Sequence, residues 1–155
     1  MAKFKSGFIA IIGRSNVGKS TLMNEIIGDK VAIVSDRPQT TRNQIKGIFT
    51  TKEYQMVFLD TPGLHLPKTK LGKFMVKAAT DSLDEVDAVL VVIDASEYIG
   101  AGDMSAIDKL ENIKTPAILV LNKIDKVEKM DLLTIIDRFK DNKNIKNIIP
   151  ISALK

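Results

Sequence analysis

The chain has 155 residues and a net charge of +4, with 45% hydrophobic and 27% charged side chains. This composition predicts one globular domain with a sizeable core and excludes a disordered chain. There is no cysteine, which excludes disulfides and thiolate metal sites. The longest apolar runs, at 88–93 and 117–121, are too short to span a bilayer, and MAKFKSGF lacks a signal-peptide pattern, so we expect a cytoplasmic protein.

The first predicted strand, at 8–12, leads into the turn GRSNVGKS, and a helix is predicted from Lys19 to Ile27 with Gly28 ending it. Between a strand and a helix, G-x-x-x-x-G-K-[ST] binds a nucleoside triphosphate, because its backbone N–H groups surround phosphate oxygens. The predicted nucleotide-binding residues are Gly13, Arg14, Ser15, Asn16, Val17, Gly18, Lys19, Ser20 and Thr21. For Arg14, a solvated surface charge is the alternative.

Three polar side chains have more specific predicted tasks at the phosphates. Lys19 would bridge the β- and γ-phosphates and so acts in catalysis. The Ser20 hydroxyl would ligate Mg²⁺. Thr41, in VSDRPQTTR, would complete the Mg²⁺ shell only when the γ-phosphate is present, which would also make it catalytic.

Two strands are predicted next, at 45–50 and 54–59, joined by a polar turn and followed by DTPG. Asp60 lies at the end of the second strand, where it would hold Mg²⁺ through a water. The N–H of Gly63 would meet the γ-phosphate, which would make Gly63 catalytic as well. The remaining nucleotide contacts predicted at this corner are Thr61, Pro62 and Leu64.

Leu64 raises a question about catalysis. Many nucleotide hydrolases carry a glutamine after this glycine, and its amide orients the attacking water. A leucine cannot do so. The residues alone leave two alternatives open: the protein is not a hydrolase, or it hydrolyses by other means.

The second half of the chain continues the alternation of helices and strands. Helical spacing runs through 71–86, followed by a buried strand at 89–93, a helical stripe at 104–110 and a second buried strand at 117–121. A helix at 132–139 and a short strand at 148–151 complete the predicted elements. We expect the lysine-bearing tract 142–147 to be a solvated helix end.

NKID follows the strand at 117–121 and is typical of guanine recognition. Asp125 can accept hydrogen bonds from N1–H and N2–H₂ of guanine, a donor pair that adenine lacks. Asn122 can bind near O6 and N7 or tie this loop to the phosphate loop, and the stem of Lys123 can lie along the base. Ser152 and Ala153, in ISAL, are placed where backbone groups could meet O6.

Alternating helices and fully apolar strands predict an α/β fold with a mostly parallel, doubly wound sheet. The hairpin at 45–59 adds one antiparallel edge strand. All motifs then lie at carboxyl ends of strands, where such sheets bind ligands. A doubly wound sheet normally has a helix after its last strand, so we expect that helix to be missing after ISALK and the chain to be part of a longer protein with exposed apolar sheet surface.

In this order, the motifs resemble the guanine-nucleotide-binding domain of the translation-factor-like GTPases, which have the P-loop NTPase fold. More narrowly, GRSNVGKSTLMNEIIG, QTTRNQIKGI, FLDTPGLHLPKTKLGKFM, PAILVLNKID and PISAL resemble the bacterial Era family. The resemblance covers essentially all of 1–155 and implies one GTP-binding domain that uses GTP or GDP and Mg²⁺. QTTR and DTPGLH favour Era over the Der and MnmE relatives, which stay the alternative.

The resemblance also implies partners. Era-like proteins continue into a KH domain that binds small-subunit ribosomal RNA during ribosome assembly, and no GXXG loop in a KH-like setting occurs in this sequence. RNA and the ribosome are therefore expected to bind only through that absent domain. We further expect a monomer, with peripheral association at the inner membrane as an addition to the cytoplasmic location.

The resemblance suggests an answer for Leu64, since Era-like enzymes have a hydrophobic residue where others have glutamine. Hydrolysis would then rest on electrostatic stabilisation and a water held by backbone groups. In related members an asparagine of the phosphate loop helps to seat K⁺, and Asn16 has the matching position; an asparagine that caps its own backbone is the equal alternative. His65, the only histidine, is a weak candidate for a general base.

Two other classes of function compete with a slow GTPase. A module that senses GTP and GDP without useful turnover would explain Leu64. A P-loop nucleoside or nucleotide kinase would require an acceptor pocket and a lid of arginines, and both NKID and the sparse arginines oppose it.

Overall fold

The computed structural model describes residues 3–28, 44–60 and 83–155, which form one six-stranded sheet. The strands are β1 (Lys5–Ile12), β2 (Gln44–Thr50), β3 (Tyr54–Asp60), β4 (Ala88–Asp94), β5 (Ala117–Asn122) and β6 (Ile145–Pro150). Their order is β2-β3-β1-β4-β5-β6. Only the β2–β3 pair is antiparallel, so the predicted parallel sheet with one antiparallel edge strand is confirmed.

Three α-helices lie between the strands in the described part of the chain: α1 (Lys19–Ile27), α2 (Ala101–Asp108) and α3 (Lys129–Phe139). Gly28 ends α1 with a positive φ of 59°, and its N–H donates to the carbonyl oxygen of Asn24. Short 3₁₀ turns occupy Leu83–Glu85, Lys109–Asn112 and Ile124–Lys126. None of these helices is both long and apolar enough to cross a membrane.

The hydrophobic core lies on both faces of the sheet. One face packs residues of β4 and β5 against α2 and α3, including Leu119, Ile107 and Phe139. The other face packs α1 against the sheet through Leu22 and Ile27. Each fully buried aliphatic side chain contributes about 1.5–3 kcal/mol relative to exposure, which fixes the central strands firmly.

The register of the parallel strands brings their carboxyl ends to one edge. Ile11 lies beside Asp60, and Asp94 lies beside Asn122. The carboxyl ends of β1, β3, β4, β5 and β6 therefore lie at the same edge of the sheet, which is where a doubly wound sheet binds its ligand.

Two boundaries differ from the sequence-based expectation. β6 begins at Ile145, so the tract 142–147 is not a helix end: α3 ends at Phe139 and Ile145 pairs with Ala117 of β5. Pairing to a buried neighbour overrides the polar composition of this edge strand. Leu83 does not continue an α-helix to Val86 but begins a 3₁₀ turn.

Candidate functional site

The phosphate loop (residues 13–18) joins β1 to α1, and two of its glycines are sterically required. Gly13 has a φ of 150°, and a Cβ there would lie 2.4 Å from the carbonyl oxygen of Val92. Gly18 has a φ of 99°, and a Cβ would lie 2.2 Å from Nδ2 of Asn122. Both values are shorter than any ordinary contact, so only glycine lets this loop turn so close to the neighbouring strands.

Lys19 opens α1 and turns back over the phosphate loop. Its Nζ donates hydrogen bonds of 2.7 Å to the carbonyl oxygens of both Gly13 and Arg14. Val17 is fully buried and anchors the loop in the core, whereas Ser15, Asn16 and Ser20 are exposed. The ammonium group therefore lies at the loop where phosphates are predicted to bind.

Arg14 is held by acidic side chains. Its Nε donates to both carboxylate oxygens of Asp103, at 3.1 and 3.2 Å, and its guanidinium pairs with Glu97 at 2.5 Å. The hydrogen bond with Glu97 and the charge of Asp103 raise the pKa of Arg14 above its ordinary value. The structure thus connects the phosphate loop to the start of α2, and contact of Arg14 with a phosphate stays a prediction.

Asn122 is the centre of the predicted base loop (residues 122–126). Its amide is 1% exposed and its Nδ2 donates to the carbonyl oxygen of Val17 at 2.9 Å. Its Oδ1 accepts from the N–H of Lys123 at 2.8 Å and from the N–H of Ala153 at 3.0 Å. Of the two tasks predicted for Asn122, the structure shows the tie between loops.

Asp125 is fixed by the loop that follows β6. Its Oδ1 accepts from the hydroxyl of Ser152 at 2.8 Å, and Lys155 lies 3.6 Å from Oδ2. The hydrogen bond from Ser152 holds the pKa of Asp125 below its ordinary value, so the carboxylate is ionised at neutral pH. Residues of all three loops line one pocket: Gly18, Thr21, Asn122, Lys123, Asp125, Lys126, Ser152, Ala153 and Leu154. Lys19 and Ser20 line a neighbouring hollow between α1 and the sheet, together with Ile11, Met23, Lys46 and Leu59.

Asp94 belongs to this site and was not predicted from the sequence. It ends β4, is 2% exposed, and its Oδ2 lies 2.5 Å from Nζ of Lys123. Burial favours the neutral carboxyl, but hydrogen bonds from Lys123 and Ser96 outweigh burial, so the pKa of Asp94 lies below its ordinary value. The available signal was a carboxylate at the carboxyl end of an apolar strand, beside the other motifs.

Several predicted residues lie outside the described part of the chain: Thr41, Thr61, Pro62, Gly63, Leu64 and His65. Asp60 is described by its backbone, as the last residue of β3. Among the described residues, the exposed hydroxyl of Ser20 fits Mg²⁺, since this ion prefers oxygen ligands and binds with few protein groups beside phosphates.

A family model described as "50S ribosome-binding GTPase" matches residues 8–123. Among curated proteins, the chain is 60% identical over 152 residues to GTPase Era of Alkaliphilus oremlandii (strain OhILAs). It is 58% identical over 153 residues to GTPase Era of Clostridioides difficile (strain 630). Each match covers 98% of this chain and 52% of the relative, so the chain spans about half the length of these relatives.

The chain is also similar to solved structures of Era proteins. A crystal structure of Era in complex with MgGDPNP and nucleotides 1506–1542 of 16S ribosomal RNA is 41% identical with a TM-score of 0.73, over 98% of this chain and 52% of that one. Aquifex aeolicus Era bound to GDP and AlF₄⁻ has 41% identity and a TM-score of 0.71, over 97% and 52%. The G domain of the T. maritima FeoB iron transporter, at 24% identity and a TM-score of 0.64 over 96% and 89%, supports the fold alone.

Proposed function

Because the chain belongs to the family of 50S ribosome-binding GTPases, we propose that it binds GTP and GDP and hydrolyses GTP to GDP and phosphate. The observation that carries this proposal is the buried amide of Asn122. It joins the base loop, the phosphate loop through Val17 and the last loop through Ala153. Three loops that are distant in sequence are thereby held around one pocket.

Guanine would be selected by the carboxylate of Asp125. This group is ionised, and Ser152 fixes its direction while leaving acceptor sites on both oxygens. Guanine offers two donors, N1–H and N2–H₂, in the arrangement that a carboxylate accepts. Adenine would leave the carboxylate without partners at that edge, which is costly.

The phosphates would be bound by the backbone of the phosphate loop and by Lys19. Its ammonium donates to the carbonyls of Gly13 and Arg14, and would exchange these acceptors for oxygens of the β- and γ-phosphates. Ser20 and Thr41, with Asp60 acting through a water, would hold Mg²⁺, which would supply charge neutralisation at the phosphates. The N–H of Gly63 would meet the γ-phosphate.

Hydrolysis would proceed without a side-chain amide at position 64. The transition state would be stabilised by Lys19, by backbone N–H groups and by K⁺ held beside Asn16. Asn16 has a φ of 65°, rare for a residue other than glycine, and it is exposed. This conformation supports a specific role for the residue.

The cellular part of the proposal rests on the relatives. One Era structure contains 16S ribosomal RNA, and we extend a role in assembly of the small ribosomal subunit to this protein, with RNA bound by a KH domain outside this sequence. Der- or MnmE-like activity is the alternative. The monomeric state, the cytoplasmic location and the peripheral contact with the inner membrane stay predictions.

The test is multiple-turnover release of phosphate from GTP in matched KCl and NaCl, with ATP as the control substrate. We expect turnover with GTP, none with ATP, and a rate about tenfold faster in KCl, equivalent to about 1.4 kcal/mol of transition-state stabilisation. Asn16→Ala should remove the K⁺ effect. Asn24→Ala, an exposed asparagine on α1, is the matched control and should retain it.

The outcomes separate the candidate functions. Equal rates in the two salts would contradict the K⁺ site and leave the GTPase assignment intact. Near-zero turnover with tight GDP binding would instead favour a nucleotide-sensing module. Equal turnover of ATP and GTP would contradict the role of Asp125.

A further inference from the structure

We propose that Asp94 is a positioning residue that sets how long a guanine nucleotide stays bound, because it holds the ammonium of Lys123 where that group joins the base loop to the phosphate loop. The inference rests on the proposed function, since it concerns retention of the nucleotide at the same site. Asp94 itself is the last residue of β4 and is buried.

The carboxylate of Asp94 is buried and has partners on both oxygens. Oδ2 lies 2.5 Å from Nζ of Lys123. Oδ1 accepts from the N–H of Ser96 at 2.9 Å and from its hydroxyl at 2.6 Å. A buried charge held in this way stays in one position, and its cation is held with it.

Lys123 makes a second contact, which reaches the phosphate loop. Its Nζ donates to the carbonyl oxygen of Asn16 at 3.0 Å. Lys123 and Asn16 have φ values of 62° and 65°, and they are the non-glycine residues with positive φ in the part of the chain that the structure describes. One ammonium group therefore ties together two backbone turns that are each unfavourable on their own.

The other side of the phosphate loop provides a comparison within the same molecule. There Asp103, also 2% exposed, holds Arg14 and accepts from the N–H of Gly100. This second buried aspartate is similar in burial and charge but does not contact the base loop. If burial of a carboxylate at this edge mattered only for stability, the two aspartates would behave alike.

The expected consequence of losing the Asp94 charge is faster release of nucleotide. Asp94→Asn keeps the volume of the side chain and an acceptor for Ser96, but leaves Lys123 with a neutral partner. The ammonium is then held less firmly, and the base loop can move away from the phosphate loop. GDP and GTP should be released faster by the same factor, because the contact lies on the base side and not at the γ-phosphate.

The experiment measures dissociation of N-methylanthraniloyl-GDP and its GTP counterpart by stopped-flow chase with unlabelled nucleotide. We expect Asp94→Asn to release both about tenfold faster, because the charge-assisted contact that holds Lys123 is replaced by a weaker neutral one. Asp103→Asn removes an equally buried carboxylate that holds Arg14 instead of Lys123, so it is the comparison variant and should accelerate release less than Asp94→Asn does. Dissociation is first order and is measured only on molecules that bind, so partial unfolding lowers the amplitude and not the rate.

A double-substitution cycle tests whether Asp94 acts through Lys123. Lys123→Ala alone should release nucleotide faster than the wild type, and Asp94→Asn added to it should cause no further acceleration, because the contact is already lost. Additive effects would overturn the inference. If Asp94→Asn does not fold, Ser96→Ala loosens the same carboxylate without removing its charge, and an unchanged rate there would overturn it as well.

Failure of the inference is distinguishable from failure of the proposed function. A wild-type chain that does not bind the labelled GDP contradicts the proposed function itself. A wild-type chain that binds, with Asp94→Asn releasing nucleotide at the wild-type rate or no faster than Asp103→Asn, contradicts only the role of Asp94.

Discussion

The two halves of the site differ in how their side chains are held. In the base half (residues 122–126 and 151–154), Asn122 is buried among three hydrogen bonds and Asp125 is fixed by Ser152. In the phosphate half (residues 13–20), Lys19 donates to carbonyl oxygens of its own loop. The base half therefore holds its predicted recognition group, Asp125, in place, whereas in the phosphate half Lys19 would have to exchange hydrogen bonds if a phosphate bound there.

We therefore expect the base half to determine which nucleotide binds and the phosphate half to determine how tightly it binds. A group that is already oriented loses little conformational entropy on binding. Under the proposed function, the base half would therefore discriminate guanine through unmatched hydrogen bonds with other bases. The phosphate half supplies charge, and its contribution depends on how favourably Lys19 exchanges carbonyl oxygens for phosphate oxygens. Substitutions in the two halves should accordingly change different quantities.

The largest expected effect is in the phosphate half. Lys19→Ala should weaken GTP binding by roughly 1000-fold, because it removes charge-assisted hydrogen bonds that contribute about 1.5–3 kcal/mol each. Isothermal titration calorimetry measures this directly. Lys146→Ala, an exposed lysine on β6, is the control and should bind GTP like the wild type. Retained affinity in Lys19→Ala would contradict the assignment of the phosphate loop.

The next effect is in the base half and concerns specificity. Asp125→Asn should weaken GTP binding about 100-fold, because the amide cannot accept both guanine donors. Xanthine nucleotides, which carry an acceptor in place of N2–H₂, should gain affinity. Competition between GTP and the xanthine nucleotide for binding to the wild type and to each variant gives the ratio of the two affinities. Asp137→Asn on α3 is the control, and an unchanged preference for GTP in Asp125→Asn would refute the base assignment.

A smaller effect is expected where the two halves meet. Asn122→Ala leaves the carbonyl oxygen of Val17 and the N–H of Ala153 without their partner, and buried unsatisfied groups cost about 1–3 kcal/mol. We expect the free energy of unfolding in urea to fall by about 2 kcal/mol. Asn147→Ala removes an exposed side-chain amide on β6 and serves as the control. A loss under about 0.5 kcal/mol would show that the loops do not depend on this residue.

Local motifs made the phosphate half predictable from the sequence. Lys19 contacts carbonyl oxygens only five and six residues before it, and the predicted limits of α1, from Lys19 to Ile27, match the structure. Gly28 ends the helix. The resemblance to the Era family, carried by the same motifs, is confirmed by relatives at 54–60% identity. The fold class followed from the apolar strands for the same reason.

The contacts that join the halves could not be predicted in this way. Asp94 and Lys123 are 29 positions apart and Arg14 and Asp103 are 89 apart, and no periodicity links them. Only the parallel register that places Asp94 beside Asn122 brings the first pair together. Likewise, β6 begins earlier than its apolar residues suggest, because pairing with β5 decides its limits.

The smallest expected effect is the response of the base half to pH. Asp94 and Asp125 both have a pKa below the ordinary value. A carboxylate with a pKa lower in the folded than in the unfolded state stabilises the fold above the unfolded pKa of about 4, and this contribution is lost as pH falls through the folded pKa. The difference in urea midpoint between the wild type and Asp94→Asn should therefore be constant from about pH 8 to pH 5 and shrink below about pH 4.

The affinity for GDP, measured over the same pH range, tests whether these two carboxylates affect nucleotide binding in the way that they affect stability. Both carboxylates stay ionised above about pH 5, so their contribution to binding should not change there. Asp131→Asn, which removes an exposed carboxylate on α3, controls for the general effect of net charge. If the difference in affinity between the wild type and Asp94→Asn disappeared between about pH 8 and pH 6, the pKa of the Asp94 carboxyl would lie well above its ordinary value. The contact with Lys123 would then not be the interaction that keeps this group ionised.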